Sequence, residues 1–127
     1  MQERQRDNKM SVAIPLFKES SADFQQNIDL NNVNYTIRLT YNVRVGYWFM
    51  TLSTENYTIT DVKCTLEFPI LWQHYALMPE LSGDFFINQV EDLQNRPDLT
   101  YDNFGSVFKL FYYTPEEVLE WRSANGL

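Results

Sequence analysis

Residues 33–52 read VNYTIRLTYNVRVGYWFMTL, and the first ten alternate without a slip. Val33, Tyr35, Ile37, Leu39 and Tyr41 share one parity; Asn34, Thr36, Arg38, Thr40 and Asn42 share the other. Side chains of a strand point to opposite faces with a period of two, so this pattern predicts a strand with one apolar and one wet face. Val43 to Gly46 turns the chain, and Tyr47 to Ser53 is the return strand of a hairpin. Its opening, YWFM, is apolar on both parities, which raises the question of what lies against its second face.

The same pattern extends in both directions. Upstream, Phe24 to Leu30 predicts a strand, with Asn31-Asn32 turning it into the next, since asparagine tolerates the positive φ of a tight hairpin. Ile14-Pro15-Leu16-Phe17 is an extended lead-in, because proline pushes its predecessor out of helical geometry. Downstream, Tyr57 to Phe68 gives one bent strand or two short ones before Pro69. The periodicity fails from Ile70 to Leu81, where a helical turn and an apolar loop fit equally well. Gly83 to Asn88 restores a short strand, Gln89 to Asn103 is a polar, proline-containing loop, and Val107 to Tyr113 is the last strand. Thr114-Pro115-Glu116-Glu117 then reads as a capping box opening a helix from Pro115 to about Ala124, stopped by Asn125-Gly126. The expected fold is mainly β, a small antiparallel β-sandwich or barrel with a short C-terminal helix. Its parts are a polar N-terminal extension over 1–13, a β-rich domain over 14–113 and the helix over 114–127. Met10 is a candidate alternative start.

Length and charge exclude several functions. At 127 residues the chain has the length of one domain, able to bury roughly two thirds of its unfolded surface. Its formal charge is -7, which argues against gripping nucleic acid, a task that depends on cations releasing phosphate counterions. Runs such as YWFM and FPILW fall far short of the ~20 apolar residues that span a bilayer. The N-terminal segment lacks the apolar core of a signal peptide, so export by that route is not expected, and the sequons at Asn34 and Asn56 are read as chance.

Candidate chemistry is sparse. Cys64 is the single cysteine and His74 the single histidine, so no internal disulfide and no cysteine-rich zinc site is available. Cys64 shares the apolar parity of VKCTLEF with Val62, Leu66 and Phe68, neighbours that would hold its thiol protonated and inert. Glu91-Asp92 and Glu116-Glu117 are paired carboxylates, but an exposed loop and a helix's first turn explain them more simply than acid-base catalysis. The glycines are scattered at Gly46, Gly83, Gly105 and Gly126, so none clusters into a phosphate-cradling loop. No catalytic residue, cofactor-binding residue or metal ligand is assigned.

The order of these features resembles the cyanophage-type baseplate plug family of contractile phage tails. The resemblance is carried by Ile14-Pro15-Leu16; by the hairpin strand Tyr35-Thr36-Ile37-Arg38-Leu39-Thr40-Tyr41-Asn42; and by its return, Gly46-Tyr47-Trp48-Phe49-Met50-Thr51-Leu52. It continues through Gly83-Asp84-Phe85-Phe86-Ile87, Asp102-Asn103-Phe104-Gly105 and Leu110-Phe111-Tyr112. Tyr41 stands where tryptophan is more usual in the family, and the C-terminal helix is an addition.

The resemblance implies a non-enzymatic structural component of the virion, assembled in the host cytoplasm, at the central hub between tail tube and spike. Its partners would be the tail tube, hub and spike proteins and further copies of itself in a ring of threefold or sixfold symmetry that forms or plugs the DNA conduit. Sequence-specific nucleic-acid binding and membrane association are not expected. An acidic wall suits a DNA conduit because it does not hold phosphates. Tyr47, Phe49 and Trp121 are the candidate subunit-interface residues, their rings being available to a neighbour. The alternative is an acidic β-sandwich module that binds a small ligand or peptide through its aromatic surface.

Overall fold

The computed structural model describes residues 12–16, 23–30, 32–77, 83–91 and 97–127; most of the expected N-terminal extension and Met10 lie outside them. Among the described residues, seven strands form two antiparallel sheets. They are β1 (Val12–Ile14), β2 (Asp23–Leu30), β3 (Val33–Asn42), β4 (Tyr47–Ser53), β5 (Thr58–Lys63), β6 (Asp84–Gln89) and β7 (Phe108–Tyr113). The larger sheet has the order β2-β3-β4-β5 and the smaller β1-β7-β6. Neither closes on itself, so of the sandwich and the barrel it is the sandwich that forms.

The larger sheet is a meander whose alternation places its core. Tyr35, Ile37 and Leu39 of β3 and Trp48, Met50 and Leu52 of β4 are buried, as cross-strand partners Ile37↔Leu52, Leu39↔Met50 and Tyr41↔Trp48 require. β5 does not keep this period: Ile59 pairs with Leu52 and Val62 with Met50, so Thr60 and Asp61 together oppose Thr51. This bulge, with Asp61 at φ 54°, shifts the parity so that Ile59 and Val62 both face inward. The Thr51 hydroxyl accepts from the Asp61 backbone N–H at 3.1 Å and fixes the extra residue.

The smaller sheet closes the core with Ile14, Phe85, Ile87, Phe108, Leu110 and Tyr112. Tyr35 meets Phe85 edge-on with centroids 6.1 Å apart, joining the two layers. One side of the sandwich is laced together by residues 64–71. The Cys64 N–H donates to the Trp48 carbonyl, Glu67 N–H to Ile87, and Ile70 N–H to Phe85; Leu66 bridges Ile87 in parallel. Asp84, wholly buried, accepts from the N–H of Leu71 at 3.0 Å and of Phe85 at 2.6 Å, so its side chain turns the strand start into an anchor. The stretch beyond Ile70 that showed no period forms a 3-10 helix, Trp72–Leu77.

β7 runs into α1 (Pro115–Ala124), opened by the expected capping box. Thr114 Oγ1 accepts from the Glu117 N–H, and Glu117 Oε1 accepts from the Thr114 N–H at 2.8 Å. Gly126 at φ 73° sits just past the helix end.

Candidate functional site

The structure resolves YWFM by parity. Trp48 and Met50 point into the core of their own chain, at 1% and 0% exposure. Tyr47 and Phe49 face out on the opposite side of the larger sheet, cross-strand from Asn42 and Thr40. Tyr47 remains exposed, with the Lys63 Nζ 3.7 Å above its ring centroid, a cation–π contact with the neighbouring strand β5. Phe49 is half-buried beside Lys63.

Next to Tyr47 the β3–β4 turn is built to be stiff. Asn42 Oδ1 accepts from the N–H of Arg44 at 2.9 Å and of Val45 at 3.3 Å. The Gly46 N–H donates to the Asn42 carbonyl at 2.7 Å, and Gly46 takes φ 78°, a left-handed geometry that costs glycine nothing. The turn holds Val43 and Val45 in water, at 81% and 50% exposure. Sequence reading marked this stretch as a turn and missed its exposed valines, for which the alternation of VRV was the available signal.

Trp121 lies on a different surface. The outward face of β6 carries Phe86, and α1 lays Trp121 over it with centroids 5.5 Å apart. Phe68 meets Trp121 at 5.4 Å, Trp72 at 6.4 Å, and Arg122 sits over the Trp72 ring. Trp121 thus fills a second aromatic layer outside the small sheet and is half-buried by its own chain. The three candidate interface residues are not brought together: Tyr47 and Phe49 share one sheet face, and Trp121 belongs to the other side.

The remaining chemistry-bearing residues are placed as structural parts. Cys64 is buried, and burial pushes its thiol far above the ordinary range, which removes the nucleophilic thiolate. His74 sits half-buried in the 3-10 helix. Glu117 is engaged in the cap, Glu116 stands in the same first turn, and Glu91 lends its carbonyl to the Gln89 side chain; Asp92 lies outside the described residues. Among the described residues no three His, Cys, Asp or Glu side chains are grouped as a metal site.

A family model for the cyanophage baseplate Pam3 plug gp18 matches residues 12–116. The chain belongs to that family. The match runs from the start of β1 into the first turn of α1, so it takes in both sheets and Thr114, the N-cap of the helix, and ends one residue before Glu117. A comparison with curated proteins finds no match. Membership of a baseplate plug family gives the chain a structural role in the virion tail, in association with other tail components. It also gives the outward-facing aromatics and the exposed hairpin tip a context, since a tail is an assembly of packed protein surfaces.

Proposed function

We propose that this baseplate plug protein is a non-enzymatic part of a contractile tail, seated at the central hub between tail tube and spike. There it forms or closes the DNA conduit as a homo-oligomeric ring or plug of threefold or sixfold symmetry. The domain over 14–113 carries the role, with 1–13 as an extension and 114–127 as the closing helix. Tyr47, Phe49 and Trp121 contribute to its subunit contacts, and its partners are the tail tube, hub and spike proteins.

The observation that carries this reading is the family match over residues 12–116. The charge of -7 supports it, because an acidic wall repels phosphate and lets DNA pass. Electron imaging of intact tails with this chain traced in the density is the test. Copies arranged around the tail axis beneath the tube are the expected result; a position at the baseplate periphery would overturn it.

A further inference from the structure

The surface of the sandwich carries two exposed apolar patches of opposite charge. The β3–β4 tip presents Val43 and Val45 with Arg44 between them in sequence, the one charged residue of the segment 42–47. The outward face of α1 presents Leu119, 59% exposed, with Glu116 and Glu120 also exposed. Positions 116, 119 and 120 are three and four residues apart and therefore lie on one stripe of the helix, while Val118 and Trp121 face the protein.

The tip follows Tyr41 and precedes Trp48, whose ring packs with Phe104 and Tyr101 near the start of β7. α1 starts from the end of β7, where Tyr112 meets Phe85 and Phe85 meets Tyr35. Exposed valines beside Arg44 and an exposed leucine beside Glu116 and Glu120 are complementary in charge and apolar character, the ordinary makings of an interface.

We propose that the β3–β4 tip of one copy docks on the outward face of α1 of the next. Val43 and Val45 cover Leu119, and Arg44 is set against Glu116 and Glu120. The contact is heterologous, a different patch on each side, and such contacts repeat into a closed ring when the rotation between copies closes. The stiff Asn42–Gly46 turn makes the tip a preformed knob, so docking spends little on ordering it. This inference rests on the homo-oligomeric reading above and names the surfaces that make it.

Sedimentation velocity of the full chain over a concentration series, with wild type, Arg44→Glu, Glu120→Lys and the double variant, is the experiment. Wild type is expected to form a discrete oligomer, each reversal to weaken it by about tenfold or more, and the double swap to recover most of the loss. Val43→Ser should weaken it as well, at a position too exposed to affect folding, which near-ultraviolet circular dichroism verifies for every variant. An oligomer indifferent to both reversals, or weakened by each and not recovered by the swap, overturns the docking surfaces and leaves the oligomer standing. A chain that stays monomeric at every concentration overturns the oligomeric reading, and the docking proposal with it.

Discussion

Trp48 and Tyr101 stack with their ring planes 11° apart and centroids 5.7 Å apart. The contact ties the middle of the larger sheet to the loop before β7, and the Trp48 indole N–H donates to the Thr100 carbonyl at 3.0 Å on the same side. Phe24, Tyr41 and Phe104 complete the cage. Trp48→Ala is therefore expected to cost about 3–5 kcal/mol, the range for emptying a buried aromatic site. Thr51→Ala, on the opposite face, loses its hydrogen bond to the β5 bulge and should cost about 1 kcal/mol. Urea denaturation of both variants checks the contrast, and equal losses would refute the assignment of faces.

Gly83→Ala is expected to destabilise although the position sits outside every strand. A Cβ there would run into the Tyr113 carbonyl and the Tyr112 hydroxyl, so β6 and β7 would have to part. A penalty of about 1–3 kcal/mol, as for other overpacked sites, is the expected reading in thermal unfolding. Gly105→Ala serves as the comparison: it has φ 107° but nothing within 4 Å of the added carbon, so its cost comes from backbone strain alone.

Asp23 and Arg38 form a two-point pair across β2 and β3, with Nε to Oδ1 at 2.8 Å and a second bond from the guanidinium to Oδ2. The Arg38 hydrogen bonds hold the Asp23 carboxyl below its ordinary range. A carboxylate with a lowered folded-state value adds stability above its unfolded value and loses it as the pH falls through the folded one. Both side chains are about half exposed, so solvent screens the effect. Carboxyl carbon NMR titration should show Asp23 ionising below the ordinary aspartate range, and Arg38→Gln should return it toward the ordinary value.

Cys64 is expected to resist alkylation in the native protein at pH 8 and to react at once on unfolding, because the buried thiol stays protonated and reaction requires the thiolate. Mass spectrometry after iodoacetamide treatment, with and without urea, reads this directly. Rapid native labelling would contradict the burial. In the tail itself, Cys64→Ala with His74→Ala should leave assembly intact apart from any loss of stability; a folded double variant that fails to assemble would reopen the question of chemistry.

Trp121→Ala is expected to destabilise by less than the ~3–5 kcal/mol of a fully buried aromatic, since the ring is half-exposed at the surface of its layer. Truncation after Tyr113 goes further and uncovers Phe86, which is 1% exposed in the intact chain. Loss of cooperative unfolding in the truncated chain would mark α1 as part of the fold; retention, together with loss of oligomer, would mark it as an interface alone.

The alternating strands were readable because one face meets core and the other meets water: Val33–Asn42 and Tyr47–Ser53 form with the expected bounds. The capping box was readable too, because its hydrogen bonds are local to four residues. Phe85-Phe86-Ile87 was readable as a strand but not as one buried on both faces, because parity cannot say that Trp121 arrives from 35 residues downstream to cover Phe86. The β5 bulge was hidden for a related reason. Its cause is Thr51 on the neighbouring strand, and within TITDVK it appears as a lost period. The outward parity of Tyr47 and Phe49 was legible, whereas the exposed stripe of α1 was not, since VLEW places Leu119 between two residues that face inward.

The lacing of residues 64–71 across one side of the sandwich also has a mechanical meaning. On that side backbone hydrogen bonds run from β4 through the connecting segment to β6. On the other, between the edges of β1 and β2, the Gln26 side chain reaches the Pro15 carbonyl. A body stitched along one edge behaves as a clasp: a load that pries the sheets apart meets several backbone bonds pulled together at the stitched edge and a side-chain tether at the other. A load of that kind on the baseplate would be borne by the stitched edge, and the tethered edge would open first.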